Sequence, residues 1–154
     1  MKSKTLVVSL AVWLAAGAVC FGSPFMGTWK LNMAKSKLGH GMGTNSVVKY
    51  EPGFFKVKVT IDGFDAKGKR THDEWTGNFD GKDYPVKGDA TTDTRSYTKV
   101  NDNTLNFSMK KSGKVVGGGQ IAVAPDGKTR TVTTSGKNAK GKKVKTVAVY
   151  DKVA

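Results

Sequence analysis

Apolar and polar positions alternate along most of the chain beyond Pro24. In "FFKVKVTI", Phe55, Val57, Val59 and Ile61 alternate with Lys56, Lys58 and Thr60. In "TLNFSMK", Leu105, Phe107 and Met109 alternate with Asn106, Ser108 and Lys110. A period of two sends successive side chains to opposite faces, which predicts strands of an antiparallel sheet with one face buried. Pro52-Gly53, Lys67-Gly68, Asp80-Gly81, Gly88-Asp89, Asn101-Asp102-Asn103, Ser112-Gly113, Asp126-Gly127 and Lys140-Gly141 fall between these runs. Such pairs supply the positive φ of tight turns, and together they delimit about ten strands.

Two stretches break the rhythm. "NMAKSKLGHGMGTN" predicts one helical turn, Met33 to Leu38, stopped by glycines. Gly117-Gly118-Gly119 predicts a bulge, a corner or a close backbone approach, with weakened ladder pairing as the alternative. A meander of short strands has two exposed edges unless it curls and closes. The fold expected is therefore all-β: an antiparallel up-and-down β-barrel of about eight to ten strands, with a β-sandwich as the alternative.

The N-terminus obeys a different pattern. Met1-Lys2-Ser3-Lys4 is a basic stretch, Thr5 to Val19 is apolar, and small residues follow around Gly22 and Ser23. That run is shorter than the roughly 20 residues a spanning helix needs, so residues 1–22 are expected to be a cleaved signal peptide. An uncleaved anchor and a lipid-modified Cys20 are the alternatives; the branched Val19 before Cys20 disfavours the second. Residues 23–154 then form one barrel domain, exported to a periplasmic or secreted location. Cys20 is the only cysteine, so no intrachain disulfide is available and packing must hold the fold.

The net charge is +14, of which Lys2 and Lys4 contribute two. The lysines are scattered and many flank turns, which describes a solvated basic exterior with weak attraction to an anionic membrane surface. A nucleic-acid binder concentrates its basic residues on one element, so nucleic acid is not expected as a partner. A monomer is expected.

"FMGTWKLN" resembles the first strand of the calycins. Lipocalins carry Gly-x-Trp at this place, and fatty-acid-binding proteins open with Phe-x-Gly-Thr-Trp-Lys-Leu. The last strand, "TVAVYDKVA", is similar to the Tyr-acid-Lys close of the second group. The chain after the signal also resembles small exported bacterial lipocalin-like proteins. The resemblance implies that Gly27 and Trp29 close the bottom of the barrel. Two features depart from it: no helix-turn-helix follows the first strand, and Ala148 stands where an arginine would precede Tyr150 by two positions.

Candidate chemistry is sparse. His40 and His72 have no neighbours at metal-ligand spacing, and no thiol lies beyond the signal, so no metal, cofactor or enzymatic activity is expected. In "THDEW", His72 and Glu74 share one strand face and Asp73 and Trp75 the other, a pattern expected to be a solvated charged face. Small barrels hold one small ligand in mostly apolar lumens. The wall is expected to include Phe55, Val57, Val59, Trp75, Phe79, Leu105, Phe107 and Met109, with Tyr150 as a polar tip. Arg130 shares a face with Val132; pointing inward, its fork suits a carboxylate. Arg95, beside Tyr97, is a second candidate, and a surface position is the alternative for both. The function expected is lumenal binding of a small hydrophobic or amphipathic molecule. A module using its basic exterior to hold an anionic surface or a protein is the alternative.

The intact mass of the exported protein is expected to correspond to an N-terminus at or beside Ser23. An increment of diacylglyceryl size on Cys20, or retention of Met1, would overturn that expectation.

Overall fold

The structure, a computed structural model, describes residues 22–154; the signal-peptide reading falls on residues outside this range, save Gly22. Ten strands follow one another: β1 (Gly27–Leu31), β2 (Thr44–Pro52), β3 (Val57–Phe64), β4 (Arg70–Gly77), β5 (Tyr84–Lys87), β6 (Thr94–Asn101), β7 (Thr104–Lys111), β8 (Lys114–Val123), β9 (Thr129–Lys137) and β10 (Lys143–Lys152). Each pairs antiparallel with its sequence neighbour, and β1 pairs with β10, so the sheet is a closed barrel. The sandwich alternative is thereby excluded. The helical turn expected after β1 is a 3₁₀ turn, Met33–Lys35, capped by the Asn32 side chain.

Closure runs through β1. Trp29 faces Lys152 of β10 on one side and Val48 of β2 on the other. Its side chain is fully buried, and its indole Nε1 donates to the Phe25 carbonyl at 2.9 Å. Gly27 precedes it at φ 107, a conformation that favours glycine. A Cβ on Gly27 would also run into the Ala154 carbonyl. The glycine and tryptophan of the opening motif thus close one end.

Aromatic side chains fill the space above Trp29. Phe25 meets Phe79 edge-on at 5.8 Å, and Trp75 meets Tyr97 edge-on at 4.8 Å. Val59, Leu105 and Val123 complete this floor. The other end carries the 32–43, 65–69, 88–93, 112–113 and 138–142 connections.

The triple glycine is a close approach combined with a bulge. The β7–β8 register slips between Met109 and Lys110, beside Gly117. A Cβ on Gly119 would overlap the Thr133 carbonyl, and one on Gly118 would sit 2.6 Å from the Phe107 carbonyl. Side chains at these positions would push β8 away from its neighbours.

Truncating Trp29 to alanine is expected to cost about 3–5 kcal/mol, as for other buried aromatic side chains. Urea unfolding would show this as a much lower midpoint, and an unchanged midpoint would contradict the packing role.

Candidate functional site

The pleat decides what the lumen contains. Asp73 precedes the inward Trp75 by two positions, Arg95 precedes Tyr97 by two, and Arg130 precedes Val132 by two. Each therefore points inward, and Arg95 and Arg130 are only 5% and 2% exposed. A cavity of about 230 Å³ lies between the aromatic floor and the open end. Its apolar wall includes Val48, Ile61, Phe107, Met109 and Ile121, while Tyr50, Tyr97, Tyr150, Asp73, Arg95 and Arg130 supply polar atoms. Asn45, Asp89 and Thr91 stand at its mouth.

Arg130 lies directly across the β9–β10 ladder from Tyr150. Its guanidinium carbon is 4.8 Å from the centre of the Tyr150 ring, 5.0 Å from that of Tyr50 and 5.1 Å from the Trp29 ring. Three ring faces offer cation–π attraction in place of lost hydration. They do not satisfy its donors: Nε and Nη1 are buried without a hydrogen-bond partner. No carboxylate among the described residues lies within ion-pair distance of Arg130. The Tyr150 hydroxyl donates to the Asn45 carbonyl at 3.0 Å. Burial pushes that hydroxyl up to about 12, against the pull of Arg130, so it stays a neutral donor near pH 7.

Arg95 is different because two carboxylates face it. Its Nη1 lies 3.5 Å from Asp73 Oδ1 and its Nη2 3.9 Å from Asp89 Oδ2. Burial alone would lower the guanidinium, but the Tyr97 side chain and Asp73 outweigh it, and the group is raised and charged. The Asp73 contact is a charge pairing without a hydrogen bond, which leaves Arg95 Nη1 and Asp73 Oδ1 both unsatisfied. Burial pushes the Asp73 carboxyl up, with Arg95 opposing. Burial also opposes ionisation of Asp89, but hydrogen bonds from Thr91 and Thr92 prevail and hold it below the usual range.

The structure divides the residues expected to line the lumen. Phe107, Met109, Arg130 and Tyr150 border the cavity. Trp75, Val59, Phe79 and Leu105 pack in the floor beneath it, and Val57 is half-buried against that core. Phe55 is a correction: it is 82% exposed at the tip of the β2–β3 turn. The alternation overshoots by one repeat, because the Gly53 N–H donates to the Lys56 carbonyl and β3 begins only at Val57.

Asp73 and Arg95 are also corrected, from a solvated face and a surface alternative to buried lumenal groups. Strand parity already placed them with Trp75 and Tyr97. What the sequence lacks is the register that gives each a counter-charge. His72 and Glu74 do face solvent, where His72 Nδ1 sits 2.7 Å from Asp62 and Glu74 meets Lys58 at 3.0 Å. Tyr50 and Val48 were missed; their alternation in "VVKY" is too short to stand out.

The chain matches no family model and no curated protein. Similar solved structures include EF1p2_mFAP2b bound to DFHBI, 11% identical, with a TM-score of 0.49, covering 84% of this chain and 94% of that one. A redesigned beta barrel, mFAP1, bound to DFHBI is 14% identical with a TM-score of 0.47, covering 84% and 95%. A redesigned beta barrel, b11L5F_LGL, is 13% identical with a TM-score of 0.47, covering 86% and 94%.

Arg95→Met is expected to cost about 3–5 kcal/mol at neutral pH, because Asp73 and Asp89 lose the buried cation that faces them among the described residues. Without Arg95 the Asp73 carboxyl rises further. A carboxyl raised in the folded state adds stability that is full in acid and is lost as pH rises through its folded value. The deficit should therefore shrink as pH falls toward the ordinary aspartate value of 3.8. Urea denaturation across pH would check this; a deficit independent of pH would mean that the carboxylates are not the cause.

Proposed function

We propose that this protein is an exported, calycin-like barrel that binds one compact amphipathic molecule, with the anionic group of that molecule on Arg130. Arg130 carries the reading: a guanidinium 2% exposed, facing a cavity, with two unpaired donor nitrogens. A buried donor left without a partner costs roughly 1–3 kcal/mol, more when charged, so an incoming anion gains by satisfying it. Arg95 is a poorer candidate because Asp73 and Asp89 already offset its charge.

Size restricts the ligand. A cavity of about 150 Å³ holds benzene, and drug-sized ligands occupy pockets of about 300 Å³ and above. At about 230 Å³ the lumen suits a short acyl chain or one to two rings. Phe107, Met109, Ile61 and Ile121 supply the apolar contacts. The arginine missing from position 148 is thereby replaced in space: Arg130 reaches Tyr150 from the neighbouring strand. Export is supported by the basic stretch and apolar run that precede the barrel.

Calorimetric titration with straight-chain carboxylates from hexanoate to dodecanoate, each beside its matched alcohol, tests this proposal. A charge-assisted hydrogen bond is worth about 1.5–3 kcal/mol, so acids should bind about tenfold tighter or better, with an optimum at short to middle length. Arg130→Gln should erase the difference between acid and alcohol. Equal binding of both by the parent would refute the anion site, and no binding at any length would refute lumenal binding.

A further inference from the structure

The turn joining β2 to β3 is "GFFK", and both of its phenylalanines point away from the barrel. Phe54 is 90% exposed and Phe55 82%, with ring centres 4.3 Å apart. They are the two most exposed large apolar side chains among the described residues. Phe55 also has φ 66, a left-handed backbone that a bulky side chain rarely adopts. Glycine or asparagine would fit that position without strain. Here the strain is retained and an aromatic ring is held outward, the association of strain with exposure that marks functional surface.

We propose that the Phe54–Phe55 tip inserts into the interfacial layer of an anionic lipid bilayer. Area argues against a protein partner or a second copy. Two phenylalanines offer about 150–250 Å² each, far below the roughly 800 Å² per partner of a stable interface. A convex two-ring apex instead matches the shallow depth at which aromatic side chains enter a headgroup region. Charge agrees with an anionic surface. Lys56, Lys82, Lys128 and Lys152 lie on the connections and strand end at this side of the barrel, with Asp80, Asp102 and Asp126 among them, and none of the four lysines has a carboxylate partner within ion-pair distance among the described residues. The chain carries +14, of which only Lys2 and Lys4 fall in the expected signal, and the remaining positive charge draws the barrel toward anionic lipid. The N-terminal lead-in reaches the barrel at this end too, since Gly27 faces Tyr50 shortly before the turn. The open end of the lumen points the opposite way, so this contact is independent of the ligand site.

The test uses the processed protein, its N-terminus verified by mass. Vesicles contain equal parts phosphatidylcholine and phosphatidylglycerol, with pure phosphatidylcholine as the uncharged arm. In Phe54→Trp, brominated acyl chains should quench the new indole on anionic vesicles and much less on neutral ones. Phe54→Ser with Phe55→Gly should weaken vesicle affinity by about tenfold or more. Its melting temperature should equal or exceed the parent's, because glycine removes the strain at position 55. That variant should keep carboxylate binding in the lumen. An unquenched indole, or unchanged vesicle affinity in the double variant, would overturn the proposal. So would a parent dimer that the double variant dissolves, which would assign the tip to contact between copies.

Discussion

A sheet of ten strands becomes a barrel here only because β1, five residues long, is bonded along both edges. Without it, β2 and β10 would be open edges carrying rows of unpaired backbone groups. The C-terminus takes part in the same seal: the Thr28 N–H donates to the Ala154 carbonyl at 2.8 Å, and the Val153 N–H donates to Thr28 at 2.9 Å. This pairing turns Trp29 inward, and Trp29 seats Phe25 by hydrogen bond. The aromatic floor stands on that pair, and the floor's height sets how much lumen remains above it. Lumen size is in this sense decided at the opposite end from the mouth.

Charge within the lumen is arranged unequally. Arg95 is flanked by Asp73 and Asp89, and all three have their charges offset locally. Arg130 has ring faces only. A buried cation is tolerable among aromatic faces, but its N–H groups still lack acceptors, and the interior magnifies the lack. The two arginines of one lumen therefore have different uses. One is offset by the wall, and the other keeps two donors without acceptors.

Period-two alternation made much of this fold legible. β3 and β7 stood out because lysine or asparagine faced Val, Phe or Leu at every second position. The turns were legible from their Asp-Gly and related pairs. Phe55 misled because alternation carries no stop signal; the hydrogen bond from Gly53 to Lys56 ends the turn, and only geometry shows it. The polar lumen was hidden by a different rule. Charged residues are almost never buried unless paired, and the partners of Arg95 lie on another strand and a loop. Asp73 is 22 positions away in sequence from Arg95, so no local pattern unites them.

The wall is not uniform. β5 has four residues and only two register pairs with each neighbour, and its Pro85 has no N–H to give. Across this short stave, Trp75 Nε1 donates to the Arg95 carbonyl at 2.8 Å, tying β4 directly to β6. The hoop thus has one compliant stave, spanned by an indole clasp rather than by backbone rungs. The eight ladders that do not involve β5 carry most of the pairing around the hoop. Any strain placed on the wall would therefore fall first on β5, where the fewest backbone rungs resist it.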